Sequence, residues 1–356
     1  MRRRTRPLDL ILASLLPLAL GWPAAADAAD GPSFKGQAVT MIIGSAPGGG
    51  TDASGRIIAT FLARYLPGKP SLIVRNVPGA EGITAMNYVA QQAKPDGLTI
   101  VMGSASVADP MNYRQPNAQY DPAKFRLIGG VGRGGSVLII DKQAAARLAD
   151  KSAAPVIMGS NEALPRNGMQ MTVWGIAFLG WNAHWVSGYP GTNEVMLALD
   201  RGEVDMTATS NMFQLQKMLE SGKNRPFYQT GSFVAGKMTA RADLGDLPLF
   251  SDAMAGKISD PLAAQAFKYW ESLCSMDKWV ALPPGTPEAV SAAYRAAFVQ
   301  ASSDPEFIAQ GKRISDDFTP QSPADVDQLM TNLVETPTAA TDYTKKLMRQ
   351  QGLNVN

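Results

Sequence analysis

The chain is expected to be an α/β protein on a parallel sheet, divided into two lobes. Three observations predict this. Short apolar runs at Val39 to Ile43, Leu72 to Val74 and Leu98 to Met102 alternate with longer stretches of helical periodicity. Each run is followed by a loop rich in glycine or serine. Once a leader of about 28 residues is set aside, roughly 330 remain, too many for one ordinary core and enough for two.

The elements follow in order. After Val39 to Ile43 comes GSAPGGGTD, then a stripe of apolar residues at Ile57, Ile58, Phe61, Leu62, Tyr65 and Leu66 with a period near 3.6. Thr51 or Asp52 is expected to cap this helix. Leu72 to Val74 is the second strand, NVPGAEG the second loop, Ile83 to Ala93 the second helix, KPDG a turn and Leu98 to Met102 the third strand. Such β-loop-α repeats cross over right-handedly, so their loops gather at the carboxyl edge of the sheet, where open α/β folds bind ligands.

A second block carries strands at Val137 to Ile140, in AAPVIMGSN and around AHWVS, then a helix containing Val195, Met196 and Leu199 and a return strand after RGEVDM. The last third is mostly helical, at Pro287 to Ala301, Pro305 to Gln310 and Asp325 to Met348, with a strand at Lys278 to Leu282. The expected division is 1–28 leader, 36–134 plus 232–356 first lobe and 135–231 second lobe.

The leader sets the compartment. Four of the first six residues are arginine, Leu8 to Leu20 is almost wholly apolar, and small residues surround Ala26-Asp27-Ala28. This is the layout of a secretory signal peptide cleaved near Ala28, so the mature protein is expected to be exported. The apolar run is short of the roughly 20 residues a membrane span needs, and Pro7 interrupts the continuation expected of a twin-arginine signal. The formal charge of +2 includes the leader, so the mature chain is near neutral. It lacks the clustered basic face that nucleic-acid binding requires.

Catalytic equipment is sparse. There is one histidine, His184, and one cysteine, Cys274. Cys274 has no partner for an intramolecular disulfide and reads as a buried thiol. No G-x-S-x-G elbow is present, and Asp200, Glu203 and Asp205 straddle a helix–turn–strand junction rather than presenting metal-ligand spacing. No enzyme, metal or cofactor is expected. His184, Trp181 and Trp185 read as packing residues before they read as an aromatic wall for a ligand.

The stretch Gly44 to Asp52 asks for a close backbone approach. A phosphate-binding loop would need a lysine at the helix start, where Thr51 and Asp52 stand instead. GVGRGG at Gly130 to Gly135 matches the dinucleotide fingerprint in letters, but a strand follows it where a helix is required, so it is expected to mark a bend between lobes. A carboxylate needs only backbone N–H groups and a helix start. Pro78 to Gly82 repeats the arrangement at the next strand, so two amide-rich loops are expected to hold one carboxylate, directly or through water.

These residues resemble a known family. Pro47, Gly48, Gly49, Asp52 and Arg56, then Asn76, Pro78, Gly79, Ala80 and Gly82, then Pro95, Asp96, Gly97 and Thr99 follow the signature of the Bug family, the periplasmic solute receptors of tripartite tricarboxylate transporters. YDPAKF at Tyr120 to Phe125, LDRGEVDMTATSN and PPGTPEAV at Pro283 to Val290 continue the likeness over nearly the whole mature chain.

The resemblance implies a two-lobed periplasmic-binding-protein fold (type II, "Venus flytrap") closing on an organic acid: a di- or tricarboxylate, an aromatic acid or an amino acid. It implies a monomer that serves membrane permease subunits. By position it assigns ligand binding to Pro47, Gly48, Gly49, Gly50, Thr51 and Asp52, and to Pro78, Gly79, Ala80, Glu81 and Gly82. To these it adds Ser104, Ala105 and Ser106, and from the second lobe Ser160, Asn161 and Asn211.

The chain departs from the family at the longer loop Gly159 to Met171, at VSGYPG where a lysine is absent, and at Glu81. A glutamate at the mouth disfavours a small dianion unless Arg133 or Arg166 compensates. The alternatives are a receptor feeding a sensor system, an exported α/β hydrolase, or a structural envelope protein.

Overall fold

The computed structural model describes residues 31–48, 50–160, 165–189, 191–314 and 318–355, with the Arg133 side chain left aside. The leader, and with it the expected cleavage site, lies outside the described residues.

Thirteen strands are described: β1 (Ala38–Ile43), β2 (Ser71–Asn76), β3 (Thr99–Ser104), β4 (Arg126–Arg133), β5 (Val137–Asp141), β6 (Val156–Ser160), β7 (Ala183–Ser187), β8 (Met206–Thr209), β9 (Asn224–Gln229), β10 (Ser232–Val234), β11 (Lys237–Thr239), β12 (Lys278–Leu282) and β13 (Phe318–Gln321). They form a six-stranded sheet in the order β13-β4-β12-β3-β1-β2, a five-stranded sheet in the order β7-β6-β8-β5-β9, and the hairpin β10-β11.

The expected β-loop-α start is present. β1 pairs in parallel with β2 and with β3. Helix α1 (Gly50–Tyr65) joins β1 to β2, and α2 (Ile83–Gln92) lies between β2 and β3. β1 is buried on both faces, which is why it reads as a continuous apolar run. Val39, Met41 and Ile43 join Ile58, Phe61 and Leu62 of α1 in one cluster, while Ile42 joins Met86 and Val89 of α2 in another. Gly55 lets α1 lie this close, since a Cβ there would come within 2.5 Å of Ile43 Cδ1.

The cap of α1 differs from expectation. The helix begins at Gly50, so Asp52 sits inside its first turn and Thr51 is not the N-cap. The carboxylate is held by Arg56 of its own helix and by Gly48 and Asn76 outside it, described below.

GVGRGG is divided between strand and bend. Gly130 to Arg133 lie inside β4, where a Cβ on Gly130 would come within 2.6 Å of the Lys278 carbonyl oxygen. Gly134 and Gly135 stand between β4 and β5, where the chain passes from the first sheet to the second. It returns after β9 through Thr230 and Gly231. The two passages are joined: Ser136 N donates to Thr230 Oγ1 at 2.8 Å, and Thr230 N to the Ser136 carbonyl at 2.9 Å.

The C-terminal third departs in detail. The segment Asp325 to Met348 is two helices, Pro323–Val334 and Thr338–Gln350, broken around Pro337. Helix Pro261–Ser275 was not resolved from the sequence pattern. Its Phe267 and Trp270, with Leu347, Met348 and Val355, share a cluster with Leu138, Met158 and Trp174 of the second sheet's surroundings. Trp181 and Trp185 belong to that cluster, and Trp185 Nε1 donates to Gln351 Oε1 at 3.1 Å, so both serve packing. His184 is exposed on β7. No helix among the described residues is long and apolar enough to cross a membrane, and none of their acidic, histidine or cysteine side chains group as a metal site.

Candidate functional site

A cavity of about 400 Å³ opens at the carboxyl ends of β1 and β3. Its floor is backbone. Gly44, Ser45 and Ala46, immediately after β1, line one side, and Pro78, Gly79 and Gly82 line the other. The two loops touch: a Cβ on Gly44 would come within 2.9 Å of Gly82 Cα. Among the described residues, the N–H groups of Ser45, Ala46 and Gly79 find no partner, and the Ser45 hydroxyl is buried without one. The buried Ser45 hydroxyl carries a desolvation cost until it finds a partner, whereas Ala46 and Gly79 are exposed and their N–H groups stand open to a ligand.

The second loop is conformationally strained. Gly79, Ala80, Glu81 and Gly82 have φ of 141°, 45°, 56° and 102°, four left-handed residues in succession. Ala80 and Glu81 each cost on the order of 1 kcal/mol in that region. The strain holds the loop against Gly44 and brings Glu81 to the cavity wall.

The first loop is held by a polar clamp. Asp52, only 3% exposed, accepts from Gly48 N and Arg56 Nε through Oδ2, both at 2.9 Å. Its Oδ1 accepts from Asn76 Nδ2 at 2.8 Å. Asn76 also donates to the Ser45 carbonyl at 2.9 Å and accepts from Arg56 Nη2 at 3.2 Å. The Arg56 hydrogen bond, aided by Gly48 and Asn76 against the opposing effect of burial, lowers the Asp52 pKa to about 2. Asp52 therefore stays ionised at neutral pH and shapes the loop from behind.

Of the residues assigned from sequence, Thr51, Pro78, Gly79, Glu81, Gly82, Ser104 and Ser106 line the cavity. Others are elsewhere. Pro47, Gly48 and Gly50 form the exposed tip of the first loop, and the Gly48 N–H expected to face a ligand is taken by Asp52. Ala80 is exposed and off the wall, and Ala105 lines an adjoining chamber instead. Ser160 is fully buried with its hydroxyl 3.2 Å from Met169 Sδ. Asn211 is exposed and caps helix Met212–Leu219 by accepting from Gln214 N at 3.1 Å. Gly49 and Asn161 lie outside the described residues.

Gly44, Ser45 and Ala46 belong to the stretch singled out from the sequence, but the ligand assignment begins at Pro47 and leaves them out, although they line the cavity. The apolar wall of Met86, Met102 and Val107 gave no signal, because apolar residues in a helix and strand read as core. Arg166, from the loop that departs from the family pattern, lines the same cavity as Glu81. A second chamber of about 330 Å³ adjoins the first, sharing Ser106 and Arg166 with it.

No protein-family model matches the chain. It is 25% identical to a UPF0065 protein of Bordetella pertussis over 311 residues, covering 80% of this chain and 82% of that one. A solved TctC solute-binding protein from Polaromonas superposes with a TM-score of 0.65 over 89% of this chain and 100% of its own, at 16% identity. The chain has the fold of a TctC-type solute-binding protein. A structure described as a periplasmic transporter matches at a TM-score of 0.51 and 19% identity, covering 91% of this chain and all of its own. In this TctC-type fold the cavity lies where an open α/β sheet presents its loops, at the carboxyl ends of parallel strands.

Proposed function

We propose that the protein is an exported periplasmic receptor of the Bug type that captures a carboxylate-bearing metabolite and delivers it to a membrane permease. The observation that carries this reading is the backbone-floored cavity: unpartnered N–H groups at Ser45, Ala46 and Gly79, with Ser104, Ser106 and Arg166 around them. Amides fixed by two packed loops bind a carboxylate without reorganising, and an arginine adds a charge-assisted, two-pronged donor. The TctC-type fold and the UPF0065 likeness support the same assignment.

The mechanism is capture rather than turnover. Two lobes, one built on each sheet, close by bending at the paired passages Gly134–Ser136 and Thr230–Gly231. Closure brings Arg166, carried on the segment after β6, onto a ligand already held by the loops after β1 and β2. A ligand that bonds both sides favours the closed form by its differential affinity. Micromolar binding corresponds to about −8 kcal/mol, within reach of several such hydrogen bonds and partial burial.

A thermal-shift screen of the purified protein against mono-, di- and tricarboxylates, aromatic acids and amino acids tests the proposal. An acid at a hundredfold its dissociation constant adds about 2.7 kcal/mol of stability. The shift is expected to vanish in Gly79→Val, because a Cβ there would come within 2.6 Å of Thr84 Oγ1 at a φ of +141°. Absence of any shift across the acids would overturn the receptor assignment.

A further inference from the structure

The chamber beside the cavity has apolar walls interrupted by two cations. Met111, Trp270, Leu273 and Met348 supply the apolar part. Arg166 stands where the chamber joins the cavity floored by the glycine loops, since it lines both. Lys345 enters from helix Thr338–Gln350 and lines the chamber but not the cavity. It is half-buried, and its ammonium makes no hydrogen bond or ion pair with a described residue. Asp109, the acid on the same wall, is engaged elsewhere: its Oδ1 takes the Met111 N–H and the Tyr269 hydroxyl, both at 2.9 Å. Burial raises its pKa against the lowering effect of those bonds, which weakens its opposition to a neighbouring anion.

We infer that the chamber is a second anion subsite, in which Lys345 of the C-terminal helix reads the far carboxylate of an elongated dicarboxylate. The near carboxylate sits on the glycine loops, an apolar spacer passes Ser106 and Arg166, and the far carboxylate meets the Lys345 ammonium. The inference rests on the receptor reading above and adds a specificity-determining residue and the substrate class it selects.

The end group follows from what each alternative leaves behind. A chain ending in a methyl group displaces water from Lys345 and returns no acceptor, which leaves a charged donor unpaired against apolar walls. A terminal ammonium stands among like charges, Arg166 and Lys345. A carboxylate accepts from Lys345 with charge assistance, and its methylene spacer covers Met111, Trp270 and Met348. A short diacid held on the loops stays in the first cavity, whose wall does not include Lys345.

Calorimetric titration of the purified protein with butanedioate, octanedioate and octanoate tests this. Octanedioate is expected to bind about tenfold more tightly than octanoate, and more tightly than butanedioate. In Lys345→Met the advantage of octanedioate over octanoate is expected to disappear, while octanoate keeps its affinity and so reports an intact site. Lys345→Arg is expected to restore most of the advantage. The wild-type ratio needs no variant and decides by itself. Equal binding of octanoate and octanedioate, tightest binding of butanedioate, or an advantage that survives Lys345→Met would overturn the inference and leave the receptor reading standing. So would binding of none of these three when another acid shifts the thermal screen. Binding of none of them, nor of any acid in that screen, would remove both.

Discussion

Asn76 donates from Nδ2 to Asp52 Oδ1 at 2.8 Å, tying the end of the second strand to the first turn of α1. Through the same nitrogen it holds the Ser45 carbonyl, and so fixes the Ser45–Ala46 peptide at the cavity wall. The aspartate in PGGGTD and the asparagine in RNVPG are thus two halves of one clamp.

Asp52→Asn is expected to cost about 1–2 kcal/mol at neutral pH, after allowance for the half-exposed Arg56. The folded pKa is depressed to about 2 from the ordinary aspartate value of 3.8. The contribution of Asp52 is therefore fully present above its unfolded pKa and lost as pH falls from about 4 toward 2. Urea unfolding of both proteins between neutral and acid pH should show the gap closing in that window. A gap that stays constant with pH would mean the clamp carries no charge.

Gly44 and Gly50 belong to the same loop but are predicted to differ. A Cβ on Gly44 would press on Gly82 at 2.9 Å and separate the loops, whereas a Cβ on Gly50 meets nothing within 4 Å. Gly44→Val is expected to lower acid affinity at least about tenfold. Gly50→Ala is expected to retain affinity and to raise stability by up to about 1 kcal/mol, since it is a helical position. Paired titrations and melts check both.

Thr230→Val removes the hydroxyl that receives the Ser136 N–H and leaves that donor buried and unpaired. A loss of about 1–3 kcal/mol is expected. Because the bond joins the two passages between sheets, its removal should also broaden the particle-size distribution seen by small-angle X-ray scattering without ligand. An unchanged unfolding midpoint would count against this role.

Glu271 gives a pH dependence of opposite sign. Burial, reinforced by Asp252, raises its pKa to about 7, while Lys237 and Lys268 line the same pocket. With the folded pKa above the unfolded one, the native state binds more protons, so stability falls as pH rises from about 4.5 to about 7. Glu271→Gln is expected to remove that fall and to be the more stable protein at pH 8, by at most about 3 kcal/mol. Chemical denaturation at pH 5 and pH 8 reads the difference directly.

Much of the frame is local and was legible in the sequence. The apolar run of β1 announces a strand buried on both faces, and the spacing from Ile57 to Leu66 announces the helix that covers one of them. The glycines at positions 79 and 82 announce an amide-rich loop after the second strand, while its run of left-handed backbone through Ala80 and Glu81 is known only from the structure. The bend at Gly134–Gly135 follows from a strand standing where a fingerprint requires a helix. What only the tertiary structure decided are the meetings of distant residues. Asp52 reads as a site or cap residue until Asn76 and Gly48 are seen to occupy its oxygens, because hydrogen-bond partners across 24 residues leave no periodic trace. Asn211 reads as a ligand contact until its side chain is found capping its own helix. Arg166 comes to the cavity from an irregular loop, and Gln170 and Asp109 share a chamber with Trp270 although no pattern links them. Periodicity reports which face of an element is buried; which side chains then converge on one cavity is set by how the sheets and helices pack.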